Sequence, residues 1–282
     1  MIAWLLAPLS YAFLQRGMIV AVLVGVACAV MGCYVVLRSM AFIGDAMAHS
    51  ILPGVAVAYL LKGNLLVGAL AAAVAVALGI GFFSRQGRLK EDSAIGILFA
   101  AAFSLGVILI SSIRTYAMDL SHILFGNVLG VSTTDLYLTA GLVLLVLAVV
   151  LLLYKELLVV SFDPVLASTL RLPAERLRMV LLVLLALTVV VSLQSVGIGL
   201  VTSMLVTPGA TAYLLTKRLP RMMGLSALIG ALSGVIGLYA SYYLDVVSGA
   251  AIVLTATGFF LLAFLFAPQK GALAKWVRGR GR

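Results

Sequence analysis

Long apolar runs separated by short polar connectors dominate this chain. Runs of about 20 residues with few charges read as membrane-spanning helices. They fall near 17–37, 41–61, 64–83, 94–112, 135–154, 179–195, 197–216, 223–244 and 248–267. The second run is interrupted by Pro53-Gly54. The third is rich in Ala, Val and Gly, small residues that let helices approach closely in lipid. Residues 113–133 mix Arg114, Asp119, His122 and Asn127 with Gly and Ser, and predict an external loop with a short half-inserted helix. Residues 1–15 predict an interfacial segment, and no basic run precedes their apolar stretch, which argues against a cleaved signal peptide. Short alternating strands of the barrel type are missing. The pattern predicts an all-α, polytopic membrane helical bundle of eight or nine transmembrane helices, forming one domain over 1–282.

Composition fits that architecture: 64% of residues are apolar and only 10% are charged. The formal charge of +10 would suggest nucleic acid in a soluble protein. Here the cations cluster in connectors, and no nucleic-acid partner is expected. Placing the connectors after spans one, three, five and seven inside, together with the basic tail 269–282, puts sixteen Lys and Arg in the cytoplasm. Only Arg16, Lys62 and Arg114 remain outside, a clear positive-inside bias. Nine crossings would put the N-terminus outside and eight would put it inside. Cys28 and Cys33 lie five apart in one span with no third cysteine, and read as packing residues rather than a disulfide. Gly230 and Gly234 have the small-xxx-small spacing of close helix contacts.

Against this background Gly44-Asp45-Ala46-Met47-Ala48-His49-Ser50-Ile51-Leu52-Pro53-Gly54 stands out. Positions i and i+4 share a helix face, so Asp45 and His49 project together. Pro53 has no N–H for the His49 carbonyl, which predicts a free carbonyl beside the pair. The other acids fall in connectors or near span ends, whereas Asp45 has long apolar sequence on both sides. Burying an ionised Asp at a span's centre costs about 2.5–3.5 kcal/mol, so such residues face cavities or substrate paths. The pair alone fits a cation site or a lock between two helices equally well. His122 reads as an interfacial hydrogen-bonding residue ahead of an outer-mouth ligand.

The longest polar connector, 155–178, contains Ser161-Phe162-Asp163-Pro164, a turn and helix-start signal. Leu172-Pro173 closes a short helix over about 165–171. A brief helix between two spans on the inner side is a docking element that needs a partner. There is no G-x-x-x-x-G-K-[ST] loop, so any ATP hydrolysis belongs to another chain and this chain is not itself an enzyme.

Six stretches follow in one order: Gly44-Asp45…His49…Leu52-Pro53-Gly54, Lys90-Glu91-Asp92-Ser93-Ala94-Ile95-Gly96, His122-Ile123-Leu124-Phe125-Gly126-Asn127, Lys155-Glu156-Leu157-Leu158, Ser161-Phe162-Asp163-Pro164 and Thr207-Pro208-Gly209-Ala210-Thr211-Ala212-Tyr213-Leu214-Leu215. Together they resemble one family, the permease subunits of bacterial manganese and zinc ABC importers. The resemblance covers about residues 15–268. It implies a multi-pass protein of the bacterial plasma membrane, working as a pair of permeases with two cytoplasmic ABC ATPase subunits and an extracytoplasmic metal-binding protein. It implies that Asp45 and His49 line the metal path. It implies that Phe162, Asp163, Pro164, Leu172 and Pro173 belong to the coupling helix that docks in the ATPase. No permanent cofactor is expected; the transported ion is Mn²⁺, with Zn²⁺ next. Gly209 departs from the manganese-type pattern, where alanine is expected, and predicts a more flexible seventh span.

If two copies meet on a two-fold axis, the pairs supply two carboxylates and two imidazoles, a set suited to Mn²⁺ or Zn²⁺ and not to soft Cu(I). A siderophore or cobalamin permease would need a wide path without an acid–His pair. An ion-coupled secondary transporter would carry more intramembrane acids and a visible repeat. A structural scaffold would leave Asp45 and His49 without a purpose.

Overall fold

The computed structural model describes residues 10–85, 89–112 and 128–267. Among these the helices are α1 (Ala12–Leu37), α2 (Ile43–Ser50), α3 (Leu52–Leu60), α4 (Leu65–Phe83) and α5 (Glu91–Ser111), then a 3₁₀ turn at Val128–Gly130. There follow α6 (Thr133–Leu152), α7 (Tyr154–Phe162), α8 (Pro164–Thr169), α9 (Ala174–Val196), α10 (Ile198–Leu215), α11 (Leu219–Leu244) and α12 (Ser248–Phe266). No strand occurs among the described residues. With α2 and α3 taken as one element, nine helices among the described residues are long and apolar enough to span a membrane. Helices satisfy their own backbone groups, as the bilayer core demands.

The expected spans and the helices agree to within a few residues at most ends. The first span begins earlier: residues 12–15, expected in the surface segment, form the first turn of α1. The Arg16 side chain donates back to the Ala12 carbonyl, so this lone cation rides on the helix instead of ending it. Residues 113–127, which include His122, Asn127, Arg114 and Asp119, lie outside the described residues, as does the tail 269–282.

Helix α1 is the hub, with α6, α9, α10 and α11 packed around it. Small residues permit this. A Cβ on Gly25 would come within 2.7 Å of the Gly230 carbonyl oxygen, so α1 and α11 cross backbone to backbone. Gly234 faces Ala21 at the same seam, the contact expected from the glycine spacing. Ser226 Oγ donates to the Ala29 carbonyl at 2.8 Å across it. Cys28 and Cys33 are free and buried, and Cys28 Sγ lies 3.3 Å from Ser192 Oγ on α9. Gly209 also has a packing role. A Cβ there would sit 3.0 Å from the Gly32 carbonyl, so this glycine brings α10 against α1 and does not loosen the span.

One end of the bundle collects the charged connectors. Arg38, just past α1, donates to both Glu91 carboxylate oxygens at 3.0 and 3.2 Å. Arg178 on α9 donates to Glu175 at 3.0 Å and to the Gly81 and Ser84 carbonyls at 2.7 and 3.1 Å. This second cluster satisfies the last carbonyls of α4, which a helix end otherwise leaves open. Burial pulls the Arg38 guanidinium down from its ordinary value, and the Glu91 charge offsets part of that.

Candidate metal-path site and docking helix

The site is built on α2, a helix of only eight residues that ends at Ile51, where Pro53 enters the first turn of α3. Proline removes a backbone donor and interrupts the ladder at that point. The His49 carbonyl is not wholly free, because the Ile51 N–H points back to it. Asp45 and His49 do share a face. His49 Nε2 lies 3.6 Å from Asp45 Oδ1, too far for a hydrogen bond and open enough for an ion to bridge the two. The Asp45 side chain is 53% exposed and that of His49 24%. His49 Nδ1 is buried without a hydrogen-bond partner.

Depth can be read from α5. The His49 ring meets Phe103 edge-on with ring centroids 5.6 Å apart, and Phe99 at 6.1 Å. Those two residues bracket the middle of α5, roughly 12–18 Å from Glu91 at 1.5 Å per residue. His49 therefore sits near mid-depth, with Asp45 about 6 Å, one helical turn, closer to the charged end. On the other side Gly44 packs on α10. A Cβ there would come within 2.9 Å of Leu205 Cδ2.

Phe99 and Phe103 were not singled out by the sequence pattern. Their i, i+4 spacing was a signal, but it is indistinguishable from lipid-facing aromatics until α5 is docked on α2. Among the described residues no group of three or more His, Cys, Asp or Glu comes together. Among the described residues the face therefore carries one carboxylate and one imidazole, Asp45 and His49.

The second predicted set surrounds α8. Asp163 Oδ1 accepts from the backbone N–H groups of Val165 and Leu166 at 2.9 and 3.0 Å, so it is the N-cap, and Pro164 occupies the first turn. At the other end Arg171 adopts φ +58° and Leu172 N–H donates to the Ala167 carbonyl at 3.0 Å. That is a Schellman-type stop. It turns Leu172 inward, against a small cluster of Val160, Ala167 and Leu177, while Pro173 stays exposed at the start of α9. Phe162 is 60% exposed and Val165 74%, with Leu166 and Leu170 also open. These last three apolar residues complete the exposed face and were missed in sequence, because a six-residue helix is too short to show periodicity.

The family model described as ABC 3 transport family matches residues 10–267. The chain is 51% identical to the manganese transport system membrane protein MntC of Halalkalibacterium halodurans, covering 96% of this chain and 93% of the relative. It is 49% identical to MntC of Listeria monocytogenes, over 94% of each. Among solved structures, PsaBC from Streptococcus pneumoniae in complex with Fab matches with a TM-score of 0.85 at 38% identity, covering 99% of this chain and 100% of that one.

Proposed function

The chain belongs to the ABC 3 transport family, and from that premise we propose that it carries Mn²⁺ inward through a site completed by a second copy of itself. It is a multi-pass membrane permease subunit of an ABC transporter, not its ATPase. The observation that carries the proposal is the Asp45–His49 pair, which faces outward together near mid-depth, with no third His, Cys, Asp or Glu beside it among the described residues. Two such pairs give two carboxylates, matching a divalent charge where the low dielectric strengthens every electrostatic interaction, and two imidazoles. Phe99 and Phe103 wall the imidazole and keep it from collapsing onto lipid. An ion held by few ligands in an open site can leave as well as enter, which conduction requires.

The manganese relatives support Mn²⁺ as the cargo. Intrinsic affinities favour Zn²⁺ over Mn²⁺ at N/O sites, so selection falls largely to an extracytoplasmic binding protein that delivers the ion. The charged end faces the cytoplasm, as the positive-inside bias indicates. There, residues 155–178 form the coupling region for two ABC ATPase subunits, with Phe162, Val165, Leu166, Leu170 and Pro173 as the contact face. Asp163, Pro164 and Leu172 hold that face in shape through the cap, the first turn and the Schellman stop.

The test is uptake of Mn²⁺, with Zn²⁺ as competitor, by the complete transporter in proteoliposomes. Asp45→Asn and His49→Ala should assemble with the ATPase yet lose uptake. Normal uptake by both variants overturns the metal-path role. Preferential uptake of Zn²⁺ from an equimolar mixture overturns the cargo.

A further inference from the structure

A lateral groove opens between α6 and α11 on the flank of α1. The two helices both pack on α1 and touch one another little, and the gap holds about 490 Å³. Its walls are apolar, including Val30, Leu147, Val150, Met223 and Gly224, and Tyr154 closes the end nearest the charged connectors. We infer that this groove is a binding site for an anionic phospholipid of the cytoplasmic leaflet, with an acyl chain between α6 and α11 and the phosphate held by Lys155 and Arg221.

The chemistry changes along the groove as it does along such a lipid. The apolar part rises only about 10 Å from the charged end, seven residues of helix at 1.5 Å each. Next comes the phenol of Tyr154 at the start of α7, at the level of the glycerol esters. At this same end stand Lys155, next to Tyr154, and Arg221, next to Pro220, both exposed and neither paired with an acid among the described residues. Cations at this level attract anionic lipid, and long side chains bend to the interface.

Two observations disfavour a protein helix as the occupant. The groove covers about a third of the roughly 30 Å hydrocarbon thickness, too little for a spanning helix to seat along its length. It also lies away from the metal-path face: α2 packs on α4, α5, α9 and α10, so a second copy completing the site at Asp45 and His49 leaves the groove open to lipid.

A Cβ on Gly224 meets nothing within 4 Å, so Gly224→Leu fills the groove without disturbing the fold. Gly141 on α6 is equally open, and Gly141→Leu is the control. The full-length permease, purified in mild detergent, is offered equimolar dioleoyl phosphatidylglycerol and phosphatidylcholine, and retained lipid is read by native mass spectrometry. Phosphatidylglycerol should be retained preferentially, by about five-fold per cation at the surface value for a basic side chain. The double variant Lys155→Gln/Arg221→Gln should bind both lipids equally. Gly224→Leu should lose the retained lipid and Gly141→Leu should keep it. Equal retention of the two lipids by the unmodified protein overturns the inference, as does undiminished retention by Gly224→Leu. Loss of permease pairing in Gly224→Leu with lipid unchanged would give the groove to a protein partner instead.

Discussion

Replacing Glu91 by alanine tests how the charged end of the bundle is held. Glu91 is the first residue of α5, and its carboxylate takes both hydrogen bonds from one nitrogen of Arg38. The two side chains are only 17% and 10% exposed, so the pair is closer to a buried bridge than to a surface one. Removing one partner of a buried pair leaves an uncompensated charge and costs about 3–5 kcal/mol. The residual exposure puts Glu91→Ala at the lower end, about 3 kcal/mol. Arg38 also has a second guanidinium nitrogen buried without a partner, so it has little else to turn to. Replacing both residues, Arg38→Met with Glu91→Ala, removes the stranded charge. The double variant should therefore be more stable than Glu91→Ala alone. Thermal unfolding of the purified permease in one detergent, completed as a double-mutant cycle, reads this directly. Additive losses, or a Glu91→Ala variant as stable as the parent, would refute the reasoning and show the pair to be solvated.

Three further outcomes follow from the packing. Gly230→Leu should prevent accumulation of folded protein, because its Cβ would meet the Gly25 backbone, whereas Gly96→Ala, with open space around it, should be neutral or stabilise by up to about 1 kcal/mol; fluorescence-detected size exclusion separates the two. Asp163→Ala should lose the α8 cap, about 1 kcal/mol, and weaken co-purification of the ATPase, while Asp163→Asn should retain both; equal defects would assign the effect to charge and not to capping. Val165→Asp should reduce ATPase co-purification more than Asp163→Ala does while leaving the melting temperature unchanged, since Val165 contacts solvent and Asp163 shapes the helix.

The number of spanning helices and their approximate limits were legible in the chain because lipid imposes one demand throughout, some 20 apolar residues with every backbone group paired internally. The Asp45–His49 pairing was legible for a similar reason: helical spacing of four residues fixes a common face whatever the surroundings. Other relations depended on which helix lies beside which. Phe99 and Phe103 became the wall of His49 only once α5 docked on α2. Arg38 and Glu91 are separated by two spans and meet because both end at the same level. Gly209 lets α10 approach α1 because Gly32 lies beneath it, and Leu172 packs partly inward because Arg171 adopts a left-handed backbone. The groove between α6 and α11 exists because α1 separates them. Apolar periodicity in a membrane chain says little about helix neighbours, since lipid and protein interiors are equally apolar. The sequence by itself determined the spans, the charged end and the Asp45–His49 pair; contacts between small residues decided the arrangement, and with it what walls and braces that pair.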